Sequence, residues 1–275
     1  MNKILIRILI TLIIILSALI YSRFIGIKGL ITHEIVIKDN IPTTYNGLKI
    51  VHFADIHYKK VITEKEITKL IKEINNIKPD IVFFTGDLID NDYKIKGKDI
   101  KFLIKELSKI ESKYGSYTVL GDQDKTNKEV INNIYLQSNF TILDNDTTII
   151  QNEKNEKILI LGINDIDKTN EVLSTSNDIP YKIVLTHEPD NITKILETNP
   201  NINLILSSHS INGSINIPII KRLFLPKNAK KYFKPHYKIS NTNLYITNGI
   251  GVNNINFRLF NKPSINFYRL KTNNC

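Results

Sequence analysis

Six apolar segments between residues 33 and 210, each followed by polar residues, predict β-strands. The first, residues 33–39 ("HEIVIKD"), is typical of an edge strand. The other five are nearly unbroken runs of Val, Ile, Leu and Phe, which indicates strands buried on both faces of a sheet. They cover residues 48–57, 80–87, 116–124, 182–190 and 202–210.

Two segments between the early strands have the spacing of amphipathic helices. Residues 63–77 begin with Thr63 at a capping position, and residues 98–110 repeat the apolar pattern. Around residues 141–165 the period changes to that of strands, and the tail, with "NLYITNGIG" and "SINFYRL", also favours strands. No internal repeat or long linker divides the chain. The sequence therefore predicts one layered α/β domain.

The N-terminus carries a charge-free run of 15 residues, "ILITLIIILSALIYS", between Arg7 and Arg23. This is short of the roughly 20 residues that cross a bilayer, but residues 4–6 extend it if Arg7 reaches back to the headgroups. A cleaved signal peptide is the alternative, because a basic start and a short apolar region suit it too. Since no clear small-x-small cleavage site follows, we favour an uncleaved anchor.

This pattern divides the chain into a membrane anchor at residues 1–23, a connecting segment with the edge strand at 24–47, and a folded domain at 48–275. Positive charges lie on both flanks of the apolar run, so they indicate its orientation only weakly. We expect a single-pass protein of the cell membrane with its domain on the extracytoplasmic side.

Charge and cysteine content narrow the functional classes. The net charge is +10, but Ile, Asn and Lys are abundant throughout, which favours a compositional bias over a nucleic-acid surface. The basic and aromatic segment 221–238 is either a solvated loop or a rim against anionic lipid headgroups. Stacking on single-stranded nucleic acid is a weaker option, since no recognised binding motif accompanies it. Cys275 is the only cysteine, which excludes a disulfide or a multi-thiolate metal site within the chain.

Carboxylates and imidazoles close the five buried runs, and three of the chain's six histidines are among them. The residues are Asp55, His57, Asp87, Asp122, His187 and His209. Ligands of parallel α/β sheets bind beyond the carboxyl ends of the strands, so we expect these side chains in one crevice. Carboxylate and imidazole together suit Mn, Fe or Zn. Six such groups predict one or two divalent metal ions, with one carboxylate able to bridge them.

The motifs "DIH", "GD", "LGDQD", "LTHEPD" and "SSHSINGSINIP" resemble those of the calcineurin-like metallophosphoesterase family. The resemblance is nearer to its membrane-anchored bacterial branch of phosphodiesterase-like proteins, and it extends from residue 48 to the end of the chain. It implies a four-layer α/β/β/α sandwich and the hydrolysis of phosphoesters.

Position by position, the resemblance assigns Asp55 and His57 to a first metal and Asp87 to a bridge between two metals. The remaining carboxylate and the two later histidines would hold the second metal. Asp122 stands where the family normally has asparagine, which adds a negative charge to that site.

Three positions depart from the family pattern. Gln123 stands where the family has the histidine that serves as general acid. Ile211 replaces the histidine that completes the first metal, and Asn212-Gly213 replaces Gly-Gly. We therefore expect a degenerate active site with one tight metal and one weak or vacant one.

The predicted function is metal-dependent phosphoester hydrolysis at the membrane, with phosphodiesters favoured over monoesters and a lipid-linked substrate as one candidate. Loss of the general acid predicts reduced activity. The alternative is a catalytically inactive relative that binds a phosphorylated ligand or a protein partner.

Overall fold

Two six-stranded β-sheets form the centre of the fold within residues 3–174, 179–218, 220–253 and 255–273, which the computed structural model describes. The helices are α1 (Lys3–Ile20), α2 (Glu64–Ile77), α3 (Gly97–Leu107), α4 (Lys128–Gln137), α5 (Thr169–Ser174) and α6 (Ile192–Thr198). The strands are β1 (Ile31–Asp39), β2 (Lys49–Phe53), β3 (Ile81–Phe84), β4 (Ser116–Thr118), β5 (Phe140–Ile142), β6 (Asp146–Gln151), β7 (Lys157–Gly162), β8 (Lys182–Leu185), β9 (Leu204–Ser207), β10 (His236–Ile239), β11 (Thr242–Ile246) and β12 (Ser264–Thr272).

Each sheet contains a block of four parallel strands. The first sheet has the order β1-β12-β2-β3-β4-β5, in which β2 to β5 are parallel. The second has the order β10-β11-β9-β8-β7-β6, in which β7, β8, β9 and β11 are parallel. Strands β6, β10 and β12 each pair antiparallel with a member of these blocks. Each parallel block brings the carboxyl ends of its strands to one edge of its sheet.

Three apolar cores produce the layer order. The central core lies between the sheets and includes Ile50 and Phe83 of the first and Ile160 and Ile183 of the second, all fully buried. A second core packs α2, α3 and α4 against the first sheet, and a third packs α5 and α6 against the other sheet. These cores confirm the predicted four-layer α/β/β/α sandwich.

The helix and strand ends follow local chemistry. Thr63 precedes α2 as predicted, and its backbone N–H donates to the Glu66 carboxylate at 3.0 Å, as in a capping box. The helix predicted at residues 98–110 ends earlier, at Leu107. Strand β1 lies at the edge of the first sheet, where it pairs with β12 from Ile31 to Asp39.

Helix α1 stands apart from the packed layers, and none of its residues is buried. It continues into a π-helical turn, Tyr21–Ile25, so that the apolar helix Lys3–Ile25 has 23 residues. At 1.5 Å per residue it is about 34 Å long, slightly more than the hydrocarbon core of a bilayer. By length and composition it can cross a membrane, and an N-terminal signal sequence meets the same description.

Candidate metal centre

The six predicted ligand residues all follow strand ends. Asp55 and His57 lie beyond β2, Asp87 beyond β3 and Asp122 beyond β4, while the two later histidines follow β8 and β9. All except Asp122 are buried. The two sheets present these ends to a common crevice, where the side chains form two overlapping groups that share Asp87.

The larger group consists of Asp87, Asp122, His187 and His209, whose donor atoms all lie within 4.8 Å of one another. His187 Nε2 is 3.2 Å from Asp87 Oδ2 and 3.1 Å from Asp122 Oδ1. His209 Nδ1 is 3.1 Å from the same Asp122 oxygen and 3.1 Å from His187 Nε2. Four donor atoms thus converge on a space suited to one tetrahedral or octahedral cation.

The smaller group consists of Asp55, His57 and Asp87. His57 Nε2 is 3.8 Å from Asp87 Oδ2, too far for a hydrogen bond. Among the described residues, neither oxygen of the fully buried Asp55 carboxylate has a hydrogen-bond partner, and neither does His57 Nε2. Buried polar atoms without a partner are costly unless a cation satisfies them.

Backbone carbonyls orient the two later histidines. His187 Nδ1 donates to the Thr85 carbonyl at 2.7 Å, which leaves Nε2 facing the carboxylates. His209 Nε2 donates to the Lys227 carbonyl at 2.8 Å and leaves Nδ1 facing the same space. Such contacts on the far side of the ring are typical of metal-binding histidines.

Two further aspartates support the centre, and sequence reasoning gave neither a role. Asp90 accepts from His57 Nδ1 at 2.5 Å and forms an ion pair with Lys60 at 2.7 Å. The buried Asp124 carboxylate accepts from the backbone N–H groups of Asp87 and Gly121 at 2.8 and 3.0 Å. The spacing "GDLID" and "GDQD" contains both aspartates, but their roles depend on loops that fold back onto the strand ends.

Glycines make room for the bridging carboxylate. A Cβ on Gly121 would lie 2.0 Å from Asp87 Oδ1. Gly86 has φ +91°, and a Cβ there would lie 2.3 Å from the Gly121 nitrogen. Gly121 is therefore required by close approach alone, and Gly86 by close approach and by its positive φ.

The charges of the metal-free centre are strongly coupled. Burial would raise the pKa of Asp122, but hydrogen bonds with His187 and His209 outweigh it and hold this pKa far below its usual range. Burial would lower the pKa of His187, but the charge of Asp87 and the contact with Asp122 raise it well above its usual value. Burial raises the pKa of Asp55 to about 6. A proton on His187 thus occupies the place of a cation.

Gln123 is engaged in the site without being able to act as an acid. Its side-chain Nε2 donates to Asp122 Oδ2 at 2.7 Å, and its backbone N–H donates to Asp87 Oδ1 at 2.9 Å. These two hydrogen bonds orient the carboxylates of Asp122 and Asp87. A carboxamide does not release a proton near neutral pH, so Gln123 does not serve as the acid.

Ile211 occupies the position of the missing histidine and is buried in the loop after β9. The residue is 2% exposed and has φ +41°, a strained conformation for a β-branched side chain. A Cβ on Gly249 would lie 2.7 Å from Ile211 Cγ2 and 2.9 Å from Asp55 Cβ, so both side chains pack on Gly249. Asn212 follows, also at positive φ, and accepts from Lys221 Nζ at 2.8 Å.

His52 and Lys125 are ionisable residues near the motifs in sequence that could replace the missing proton donor, and they differ in position. His52 is fully buried in β2, where Nε2 contacts Thr85 Oγ1 at 2.8 Å. Burial lowers its pKa to about 3, so it is neutral at physiological pH. Lys125 is exposed and lines a small cleft together with Asp122 and His187.

The donor chemistry fits divalent metal ions. Oxygen and imidazole nitrogen donors without thiolate suit Mn, Fe or Zn, and the unpartnered Asp55 oxygens require a positive neighbour. The four-donor group is complete for one ion, whereas the group around Asp55 offers three residues and lacks a fourth at Ile211.

Comparisons with known proteins agree with this geometry. The family profile described as calcineurin-like phosphoesterase matches residues 48–212. The chain is 30% identical to metallophosphoesterase YkuE of Bacillus subtilis, over 92% of this chain and 90% of that protein. It is 24% identical to phosphodiesterase YaeI of Escherichia coli, over 81% of each chain. A bovine transmembrane protein with a metallophosphoesterase domain is 26% identical over 82% of this chain, which spans 53% of that relative's length.

Proposed function

This chain belongs to the calcineurin-like phosphoesterase family, and on that basis we propose that it is a metal-dependent phosphodiester hydrolase acting at a membrane. The observation that carries the proposal is the pair of donor groups that share Asp87. In many phosphoesterases, two ions that share one carboxylate stabilise the attacking and the leaving oxygen during displacement at phosphorus.

The six residues would hold one or two ions, which when bound would activate water and neutralise charge on the phosphoryl oxygens. Hydrolysis forms a bond from phosphorus to the water oxygen and breaks the ester bond to the leaving alcohol. One water proton ends on the released alcohol and the other in solvent. The protein orients the metal-binding side chains. Thr85 orients His187, Asp90 orients His57, and Asp124 fixes the backbone of Asp87.

Gln123 limits the reaction to good leaving groups. A poor alkoxide leaving group needs a proton in the transition state, and general-acid catalysis of this kind contributes on the order of 10²–10⁴ in rate. The Gln123 carboxamide does not supply that proton. We therefore propose reduced activity on alkyl phosphodiesters and better activity on nitrophenyl phosphodiesters.

Turnover of bis(p-nitrophenyl) phosphate by the full chain, reloaded with Mn²⁺, Fe²⁺ or Zn²⁺ in separate samples, tests the proposal. We expect metal-dependent release of nitrophenolate, abolished by chelation and by His187→Ala. An exposed substitution on α4, Leu136→Gln, is the matched control and keeps the activity. Absence of turnover with metal bound at the centre would contradict the hydrolase proposal.

A second function is favoured by the two replaced histidines. A chain that has Gln123 and Ile211 can hold a cation and a phosphorylated ligand without cleaving it. This form predicts one bound metal, tight binding of a phosphodiester and no product. The same assay distinguishes the two functions, because binding without turnover supports the inactive relative.

We further propose that the helix Lys3–Ile25 anchors the protein in the cell membrane with the domain on the extracytoplasmic side. The apolar length supports the anchor, and the basic residues Lys3 and Arg7 in its first two turns fit an N-terminus retained in the cytoplasm. Cys275, the only cysteine, provides the test. A membrane-impermeant maleimide is expected to label it in intact cells, whereas labelling only after lysis would contradict this orientation.

A further inference from the structure

An apolar groove lies beside the candidate metal centre. Its walls come from residues 211, 214–215 and 223–226 on one side and residues 253, 255 and 257 on the other, and its volume is about 170 Å³. The side chains that make it apolar are Ile211, Ile215, Phe224, Leu225, Ile255 and Phe257. A cavity of roughly 150 Å³ binds benzene, so this groove has space for an apolar group of about six carbons.

The inner end of the groove reaches the smaller donor group. Ile211 both lines the groove and packs on Gly249 beside Asp55. The replacement that removes a metal ligand therefore extends apolar surface up to the Asp55 carboxylate. A ligand with a phosphate group at the metal centre and an apolar chain at Ile211 would match both the charged centre and the apolar groove.

Backbone contacts connect one wall of the groove to the end of the N-terminal helix. The Arg258 N–H donates to the Ser22 carbonyl at the end of that helix at 3.0 Å. The next residue, Leu259, pairs with Ile215 of the groove wall through a hydrogen bond to Ser214 at 2.9 Å. These contacts fix the groove next to the helix that can cross a bilayer.

Exposed apolar side chains occur both at the end of the helix and in the segments that carry the groove wall. Phe24 is 60% exposed, Leu223 is 81% exposed and Phe260 is 73% exposed. Two cations directly precede Leu223 in the chain, Lys221 and Arg222, and they form cation–π contacts to Phe233 at 5.2 and 5.6 Å. Apolar residues interspersed with cations are typical of a surface that meets lipid headgroups.

We propose that the groove binds the acyl or alkyl chain of a membrane lipid whose phosphoester lies at the metal centre. The occupant is a lipid because backbone hydrogen bonds tie one wall of the groove to the end of the helix that can cross a bilayer, and because exposed apolar and basic residues lie in the same segments. This inference rests on the proposed phosphodiesterase function and names its substrate class: a lipid phosphodiester with at least one apolar chain. Ile211 then acts as a specificity-determining residue at the junction of chain and phosphate.

A series of p-nitrophenyl alkyl phosphates with methyl, butyl and hexyl chains tests the groove. The metal-loaded full chain is assayed in digitonin, a detergent with a rigid steroid body and no alkyl tail to compete for the groove. We expect kcat/KM to rise about fourfold for each methylene that enters the groove. Equal kcat/KM for the three esters would overturn the groove while leaving the hydrolase proposal intact.

Binding gives a second readout that does not depend on turnover. Calorimetry with methyl phosphate and hexyl phosphate compares the same headgroup with and without the chain. We expect at least tenfold tighter binding of hexyl phosphate, and equal affinity would overturn the inference. If none of the three p-nitrophenyl esters is cleaved but hexyl phosphate binds more tightly than methyl phosphate, the hydrolase proposal fails and the lipid-binding groove stands.

Substitutions in the groove provide the specific control. Phe224→Gln and Ile255→Gln together place polar groups at two side chains that are 38% and 42% exposed, so the fold is expected to tolerate them. We expect the hexyl-to-methyl ratio to fall at least tenfold. Leu136→Gln, at a residue 63% exposed on α4, is expected to keep the ratio of the unmodified chain. An unchanged ratio in the groove variant would contradict the assignment.

Discussion

Residues around the metal centre repeatedly adopt a left-handed backbone conformation without being glycine. Asp55, His57, Asp87 and His209 have φ between +47° and +60°, and Ile211 has φ +41°. Such conformations cost about 1–3 kcal/mol each and persist where the surroundings impose them. The loop after β9 thus keeps a strained shape at Ile211 although this residue offers no ligand.

The six ligand candidates could be predicted from sequence because each one follows an apolar run. Asp90 and Asp124 could not, since their partners, His57 and the backbone N–H of Asp87, are brought near only by folding of the loops. The sequence likewise identified Gln123 as a replaced acid, but its bond to Asp122 depends on side-chain placement.

Gln123→His tests the missing general acid. Its imidazole would face the scissile ester and supply a proton to the leaving group. We expect turnover of alkyl phosphodiesters to rise on the order of 10²–10⁴, with a smaller change for nitrophenyl esters. Gln123→Asn keeps a carboxamide and is the control. An equal increase for both leaving groups would show that proton donation is not what the replacement changed.

Asp55→Asn tests the cost of the unpartnered carboxylate. Burial raises the pKa of Asp55 from 3.8 to about 6, so the native state binds more protons than the unfolded state between these values. Stability of the metal-free protein from this group therefore falls as pH rises from about 4 to 6 and stays low above it.

At pH 8 we expect metal-free Asp55→Asn to be more stable than the unmodified chain by up to about 3 kcal/mol, with the difference shrinking toward pH 4. Denaturant unfolding in the presence of a chelator measures it. Asp92→Asn, at an exposed residue, is the control. A difference that does not depend on pH would contradict the pKa of Asp55.

Loops after short strands, more than the strands themselves, shape the site. Strands β3 and β4 have four and three residues, and the turns beyond them carry Asp87 and Asp122. The apolar runs predicted these strands. The positions at which the strands end depend on Gly86 and Gly121, whose backbones pack closely against each other. The longer amphipathic helix α2 was easier to place because its period and its cap at Thr63 agree.

Gly121→Ala tests this packing of turns. Its Cβ would meet Asp87 Oδ1 at 2.0 Å, so either the carboxylate or the turn must move. We expect a loss of about 1–3 kcal/mol in stability, together with weaker metal binding. Gly97→Ala is the matched control, because nothing lies within 4 Å of its Cβ at the start of α3. Equal effects of the two changes would contradict the proposed crowding.

At the scale of the whole molecule, the apolar N-terminal helix, the groove and the metal centre meet at one buried residue. Arg258 is fully buried, and its guanidinium donates to the carbonyls of Asn248, Gly249 and Gly251 beside Asp55. Its backbone N–H donates to Ser22 of the helix. This arrangement places the centre close to the end of the helix, and hence to a membrane under the proposed anchoring.

Metal binding by the whole protein is expected to depend on pH through His187. The pKa of His187 is raised well above its usual value in the metal-free centre, so a cation must displace its proton. Metal affinity should therefore increase with pH, by up to about tenfold per unit while one proton is released. Calorimetry in buffers of different ionisation enthalpy counts the proton. Affinity that falls with rising pH would contradict this exchange.

The most direct test is the metal content of the full chain after complete chelation, reloading with a single divalent metal and dialysis. Convergence of six donor side chains predicts at least one retained ion per chain, held by Asp87, Asp122, His187 and His209, and a second ion that is lost more readily. Double replacement His187→Ala and His209→Ala should remove the retained ion. Elemental analysis that finds no ion with Mn, Fe or Zn would contradict the metal centre and the hydrolase built on it.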